Sequence, residues 1–197
     1  MTKLLINLFV KNSDDIRDKN VRKSYGNLGG LVGIACNLIL FTIKLIAGIL
    51  SGSIAITADA FNNLSDMGSS VVTLLGFKLA SKSPDKDHPF GHGRMEYMSA
   101  FIVSVVIIVV GFELLTSSIE KIFNPEDIQV NTITVVVLVL SIIVKFWLGV
   151  FNNKLGDIIN STALKATAKD SINDVVATSA VLFTSLISMA FGLNLDG

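Results

Sequence analysis

Five stretches of the chain, at residues 28–50, 54–77, 99–118, 133–151 and 171–193, are long, apolar and nearly free of charge. Each is close to the ~20 residues that a hydrocarbon core requires of a helix. Composition points the same way. Charged residues make up 16% of the 197, where a soluble domain carries roughly 25%, and the mean hydropathy is +0.64. The expected class is an all-α membrane protein. The formal net charge is zero, so no basic surface for nucleic acid is implied. The single cysteine, Cys36, sits inside an apolar run and reads as packing, since one thiol makes neither a disulfide framework nor a metal cluster. Residues 1–26 read as a polar cytosolic segment with no cleavable signal peptide, followed by a membrane domain over 27–197.

The basic residues set an orientation. Six precede the first span (Lys3, Lys11, Arg17, Lys19, Arg22 and Lys23), four lie between the second and third (Lys78, Lys82, Lys86 and Arg94), and three between the fourth and fifth (Lys154, Lys165 and Lys169). The other side has only Lys121, so the N-terminus is expected in the cytosol. Five spans then put residues 194–197 outside, an abrupt end for a transporter that suggests a truncated chain.

A repeat marks the candidate site. Ser53, Ala55, Ala58, Ala60 and Asp66 recur 108 residues later as Ser161, Ala163, Ala166, Ala168 and Asp174, with Asn62 facing Asp170. The first copy enters from outside and the second from the cytosol. Inverted repeats of this kind build transporters that hold substrate near mid-membrane, where the copies meet. Each copy ends in polar residues four apart, which a helix places on one face. Asn62 with Asp66 and Asp170 with Asp174 therefore supply one amide and three carboxylates, a cation site. Helix capping is the plainer account of such residues and suits Asp170, which lies close to the cytosolic end of the fifth span. It does not suit Asp66, inside an apolar helix, where a carboxylate is costly. The other intramembrane charges, Lys44, Asp59, Glu113 and Lys145, read as structural, pairing with one another, lining a vestibule or, for Glu113 and Lys145, snorkelling.

Both histidines of the chain lie between the second and third spans, His88 and His92, with Asp85 three residues before the first. Two imidazoles and a carboxylate suit a zinc ion; a tight turn shaped by Pro89 and Gly91 is the plainer reading, and both stay open here.

The stretch His88-Pro-Phe-Gly-His-Gly-Arg-Met-Glu96 resembles the loop signature of the cation diffusion facilitator family. So do Ser53-x-Ala-x-x-x-Asp59-Ala60 with Asp66, and Ser161-x-Ala-Leu-x-Ala-x-Ala with Asp170-x-x-x-Asp174. The resemblance implies a proton-coupled metal exporter that works as a homodimer, with six membrane helices and a cytosolic ferredoxin-like domain. Five of those helices are expected here, without the sixth or the cytosolic domain. It also implies a transport site at Asn62, Asp66, Asp170 and Asp174, a second metal at Asp85, His88 and His92 in some members, and a dimer-facing role for Arg94. Zinc members carry His at the first position of each pair, and this chain has Asn62 and Asp170 instead.

An all-oxygen site suits harder ions than zinc, and magnesium releases its water reluctantly, so manganese is the expected cargo, then ferrous iron; zinc and cadmium are the alternatives. Ligands must lose protons to bind metal, so metal–proton exchange follows from the site's chemistry. A membrane sensor or scaffold that binds metal without moving it is the competing class. No cofactor is expected, and nothing in the sequence offers an activated nucleophile or a phosphate-binding loop for an enzyme.

Overall fold

The computed structural model describes residues 2–10, 13, 15–51, 54–123 and 132–191. Ser53 and the expected outer terminus at 194–197 lie outside the described residues, as do the side chains of Ala55, Ala58 and Lys121. The described regular structure is helical: α1 (Thr2–Phe9), α2 (Lys19–Ser51), α3 (Ile54–Ala80), α4 (Met95–Phe123), α5 (Thr132–Ile158) and α6 (Thr162–Phe191). Helices α2 to α6 are the five expected spans, each extended beyond its apolar stretch by polar turns. Among the described residues, stretches of α2 (Lys19–Leu50), α4 (Met95–Glu113) and α5 (Thr132–Ile158) are long and apolar enough to cross a membrane. Helix α3 has the length, but Asp59, Asn62 and Asp66 dilute its apolar character; the apolar part of α6 runs into side chains outside the described residues.

The N-terminal segment is less uniformly polar than expected. Leu4, Ile6, Leu8 and Phe9 fold as α1, eight residues long and so too short to span. Ile6 and Val10 are buried in the cluster that holds Val21 and Tyr25, while Leu4, Leu8 and Phe9 stay exposed. Helix α2 then starts well before its apolar stretch, where the Asp18 carboxylate accepts the Asn20 amide at 2.8 Å and caps the first turn.

The helices pack as α2 on α3, α5 on α6, α3 on α4, α2 on α5, α4 on α6 and α3 on α6. Lipid gives helices no hydrophobic reason to associate, so close approach of backbones carries the packing. The α2–α3 seam shows this. A Cβ on Gly26 would lie 2.0 Å from Phe77 Cγ, and one on Gly33 would lie 2.5 Å from Ser70 Oγ. The outward faces are apolar, with Leu31 and Ile46 on α2, Phe101 and Ile108 on α4, and Ile143 and Phe146 on α5 all exposed.

Burial is lopsided along the bundle. The main cluster, with Tyr25, Leu28, Phe77, Leu148, Phe151, Leu155, Ile159 and Leu164, gathers at the end where α2 begins, called the N side below. Cys36 packs against it, as expected. Among the described residues, the far half holds a smaller cluster of Ala47, Ile56 and Val137. On the N side Arg22 donates to both Glu96 carboxylate oxygens, at 2.9 and 3.2 Å, and to the Ile159 carbonyl, joining α2, α4 and the end of α5.

Helices α5 and α6 meet in a tight corner. Asn160 takes a left-handed φ of 48°, the Ser161 amide donates back to the Gly156 carbonyl at 2.9 Å, and the Leu164 amide donates to Ser161 Oγ at 3.3 Å. These contacts close one helix and cap the next. Helix α6 begins at Thr162 and α3 at Ile54, so the two helix starts keep the 108-residue offset of the sequence repeat.

Candidate metal centre

Asp66 lies near the middle of α3, twelve residues from its start. Asp170 and Asp174 lie in α6, eight and twelve residues from its start. A helix gains 1.5 Å per residue, so Asp170 sits about 12 Å inside α6. Ser161 holds the cap position, and capping does not account for Asp170. The antiparallel contact of α3 with α6 brings the three acids together: one ligand oxygen from each lies within 4.8 Å of the others, and all three side chains are half-buried. A divalent ion bound by three carboxylates fits that spacing, because it needs oxygens converging from about 2.0–2.6 Å away. Asn62, one turn before Asp66, is exposed. Its neighbour Asn63 is buried and donates to the Asp59 carbonyl at 2.9 Å.

One residue read as merely structural stands inside this constellation. Lys145 is at the centre of α5, thirteen residues from either end and 4% exposed. Its Nζ donates to Asp66 Oδ2 at 2.6 Å and to Asp174 Oδ2 at 2.7 Å. An ammonium buried inside the bundle and bonded to two carboxylates is not snorkelling towards an interface. The signal available in the sequence is a lone charge inside an apolar run. Which acids the lysine meets was not readable, because they lie 79 and 29 residues away. Lys44, 2% exposed, pairs with Asp59 at 2.8 Å, as the expectation of mutual pairing allowed. Glu113 is exposed on α4.

On the N side of the triad, Thr73 of α3 and Thr167 of α6 share a hydrogen bond at 2.9 Å, with both side chains buried. Nothing in the sequence flagged these two hydroxyls.

The loop residues also converge. The His88 amide donates to Asp85 Oδ1 at 2.7 Å, His88 Nδ1 lies 3.2 Å from the same oxygen, and His92 Nε2 lies 3.3 Å from Asp85 Oδ2. Gly91, at a φ of 81°, supplies the left-handed step that brings His92 back towards Asp85. The two imidazole centroids are 4.4 Å apart, and one ligand atom from each of the three residues lies within 4.8 Å of the others. His92 is buried, and its Nδ1 has no hydrogen-bond partner among the described residues. The hydrogen bond from the His88 amide, with the imidazole contact beside it, stabilises the charged form of Asp85 and holds its carboxyl below the usual carboxylate range. Arg94, at the start of α4, is exposed.

Residues 30–196 match the model of the cation efflux transmembrane domain. The manganese efflux system protein MneS of Bacillus subtilis is 36% identical over 168 residues, which are 85% of this chain and 58% of that protein. An uncharacterized transporter of Methanocaldococcus jannaschii is 34% identical over 163 residues, 83% of this chain and 57% of its own length. The cation-efflux pump FieF of Shewanella oneidensis is 30% identical over 161 residues, 82% of this chain and 54% of the pump. The chain thus spans a little over half the length of these relatives.

Proposed function

Because this chain belongs to the cation efflux family of membrane transporters, we propose that it exports divalent metal ions, manganese first, in exchange for protons. The observation that carries this reading is the meeting of Asp66, Asp170 and Asp174 from two repeat-related helices near mid-bundle. Asn62 completes the ligand set from α3, one turn from Asp66. All four donors are oxygens, which favours manganese over zinc, whose usual sites take imidazole or thiolate. Two relatives are named as manganese efflux proteins, MneS and MneP of Bacillus subtilis, and they support the same choice. Carboxylates that bind metal do so unprotonated, so protons arriving from the far side compete the ion off and reset the site.

In the same reading the N side faces the cytosol, in a bacterial plasma membrane, and the working unit is a homodimer. The loop of Asp85, His88 and His92 holds a second, non-transported ion at the cytosolic mouth.

Manganese flux into proteoliposomes tests the site. Asp66→Ala, Asp170→Ala and Asp174→Ala each abolish flux, while Asn62→Ala weakens it less, since an amide brings one ligand and no charge. Near-normal flux in any Asp variant would move the site elsewhere. Binding of manganese without flux in the unaltered protein would favour a sensor or scaffold.

A further inference from the structure

The ligand set does not use the charge at its centre. Lys145 bridges two of the three acids, one from each repeat, through the Oδ2 atoms of Asp66 and Asp174. A divalent ion on those oxygens needs to come within about 2.0–2.6 Å of them. An ammonium already 2.6 and 2.7 Å from the same two atoms occupies the approach and repels a second cation. Packing alone does not call for a lysine here. The 108-residue offset carried back along the preceding helices pairs Lys145 of α5 with Asn37 of α2, and Lys44 of α2 with Asn152 of α5. Asn37 is buried to the same degree, 2% against 4% exposed, so the bundle accepts a short neutral side chain at the equivalent place.

We propose that Lys145 is a tethered counter-ion that competes with the transported metal for Asp66 and Asp174. Its ammonium holds the carboxylates of the two repeats together, and a divalent ion enters only as that ammonium swings away. The competition is one of position and charge. It keeps the metal from binding too tightly to leave, because the displaced ammonium stands ready to take the oxygens back. This inference rests on the reading of Asp66, Asp170 and Asp174 as the transport site.

The test measures manganese binding to the purified protein at fixed pH, and flux after reconstitution. Lys145→Met and Lys145→Asn both remove the competitor, and the second installs the residue of the repeat partner, so a folding failure of the first leaves the question answerable. Both are expected to tighten the manganese Kd by about tenfold or more at unchanged stoichiometry, and to slow maximal flux. Lys145→Arg keeps the charge and stays within about threefold of the unaltered Kd. A purely structural lysine gives the opposite sign, weaker binding on removal. Unchanged or weaker binding in both neutral variants overturns the counter-ion. Asp66→Asn and Asp174→Asn separate the two levels. If they retain full binding, the transport site falls and the counter-ion with it; if they lose binding while the lysine variants bind as before, the counter-ion alone is wrong.

Discussion

Removing Asp66 and Asp174 singly and together should destabilise the bundle in a strongly non-additive way. Lys145 Nζ lies 2.6 Å from one carboxylate and 2.7 Å from the other. At an effective dielectric of about 20, each contact is a gross attraction of about 6 kcal/mol. The two carboxylates stand within 4.8 Å and repel by about 3–4 kcal/mol on the same scale. Taking away one aspartate loses one attraction but relieves the repulsion and that group's own desolvation, so each single Asp→Ala costs at most about 2–3 kcal/mol. The second removal has no such relief. It leaves an ammonium that is 4% exposed without either of its hydrogen-bonded carboxylates and with Asp170 as the acid still nearby, so the cost approaches the about 3–5 kcal/mol of an unpaired buried charge. The assay is chemical or thermal unfolding of the purified protein in detergent, run as a cycle that includes Lys145→Met. The triple variant, lacking all three charges, should recover most of what the double variant lost. Equal instability of the double and triple variants would refute the electrostatic account and assign the loss to packing.

Three further outcomes are expected. Asn62→His with Asp170→His puts imidazole at the first position of each pair, and competition flux assays should show preference moving from manganese towards zinc; unchanged preference would mean that geometry rather than ligand type sets selectivity. In a protein already carrying Asp66→Ala, His88→Ala with His92→Ala should lower the count of bound zinc and, without the Asp66 change, reduce flux partially; equal zinc counts would leave the loop a simple turn. Asp85 is held below its ordinary range of about 4, so the turn it forms with His88 is at full strength above that pH and loosens as pH falls through the depressed value. The His88 amide resonance should report that midpoint below 4, and a midpoint at or above 4 would contradict the hydrogen-bond geometry.

The acidic residues were legible because a carboxylate inside an apolar run is conspicuous, and its recurrence at a fixed offset ties two helices together before any contact is known. Asp66 and Asp174 needed nothing more. Asp170 invited a capping reading because the apolar stretch opens at 171, yet the helix begins at Thr162: Ala163, Leu164, Lys165, Ala166 and Ala168 sustain it and Ser161 caps it. Hydropathy reports where lipid begins, and helix propensity reports where the helix does. Lys145 was visible as a buried charge, but its partners follow from how α3, α5 and α6 pack, and no local pattern records that. Arg22 counted only towards orientation until Glu96 and the Ile159 carbonyl came within its reach. The apolar residues of α1 are inconspicuous in the sequence because six cations lie among the first 26 residues.

The uneven burial along the bundle has a kinetic consequence. In the proposed orientation, a cytosolic ion reaching the three acids passes the side where Thr73 meets Thr167, where Arg22 fastens α4 to the end of α5, and where the larger apolar cluster lies. Among the described residues, the opposite side holds the smaller cluster of Ala47, Ile56 and Val137 together with the Lys44–Asp59 ion pair. In the proposed reading, parting the N side separates more buried contacts among the described residues than parting the far side does. Inward opening is then expected to be the rarer event, with throughput at saturating metal set by how often the inner wall parts.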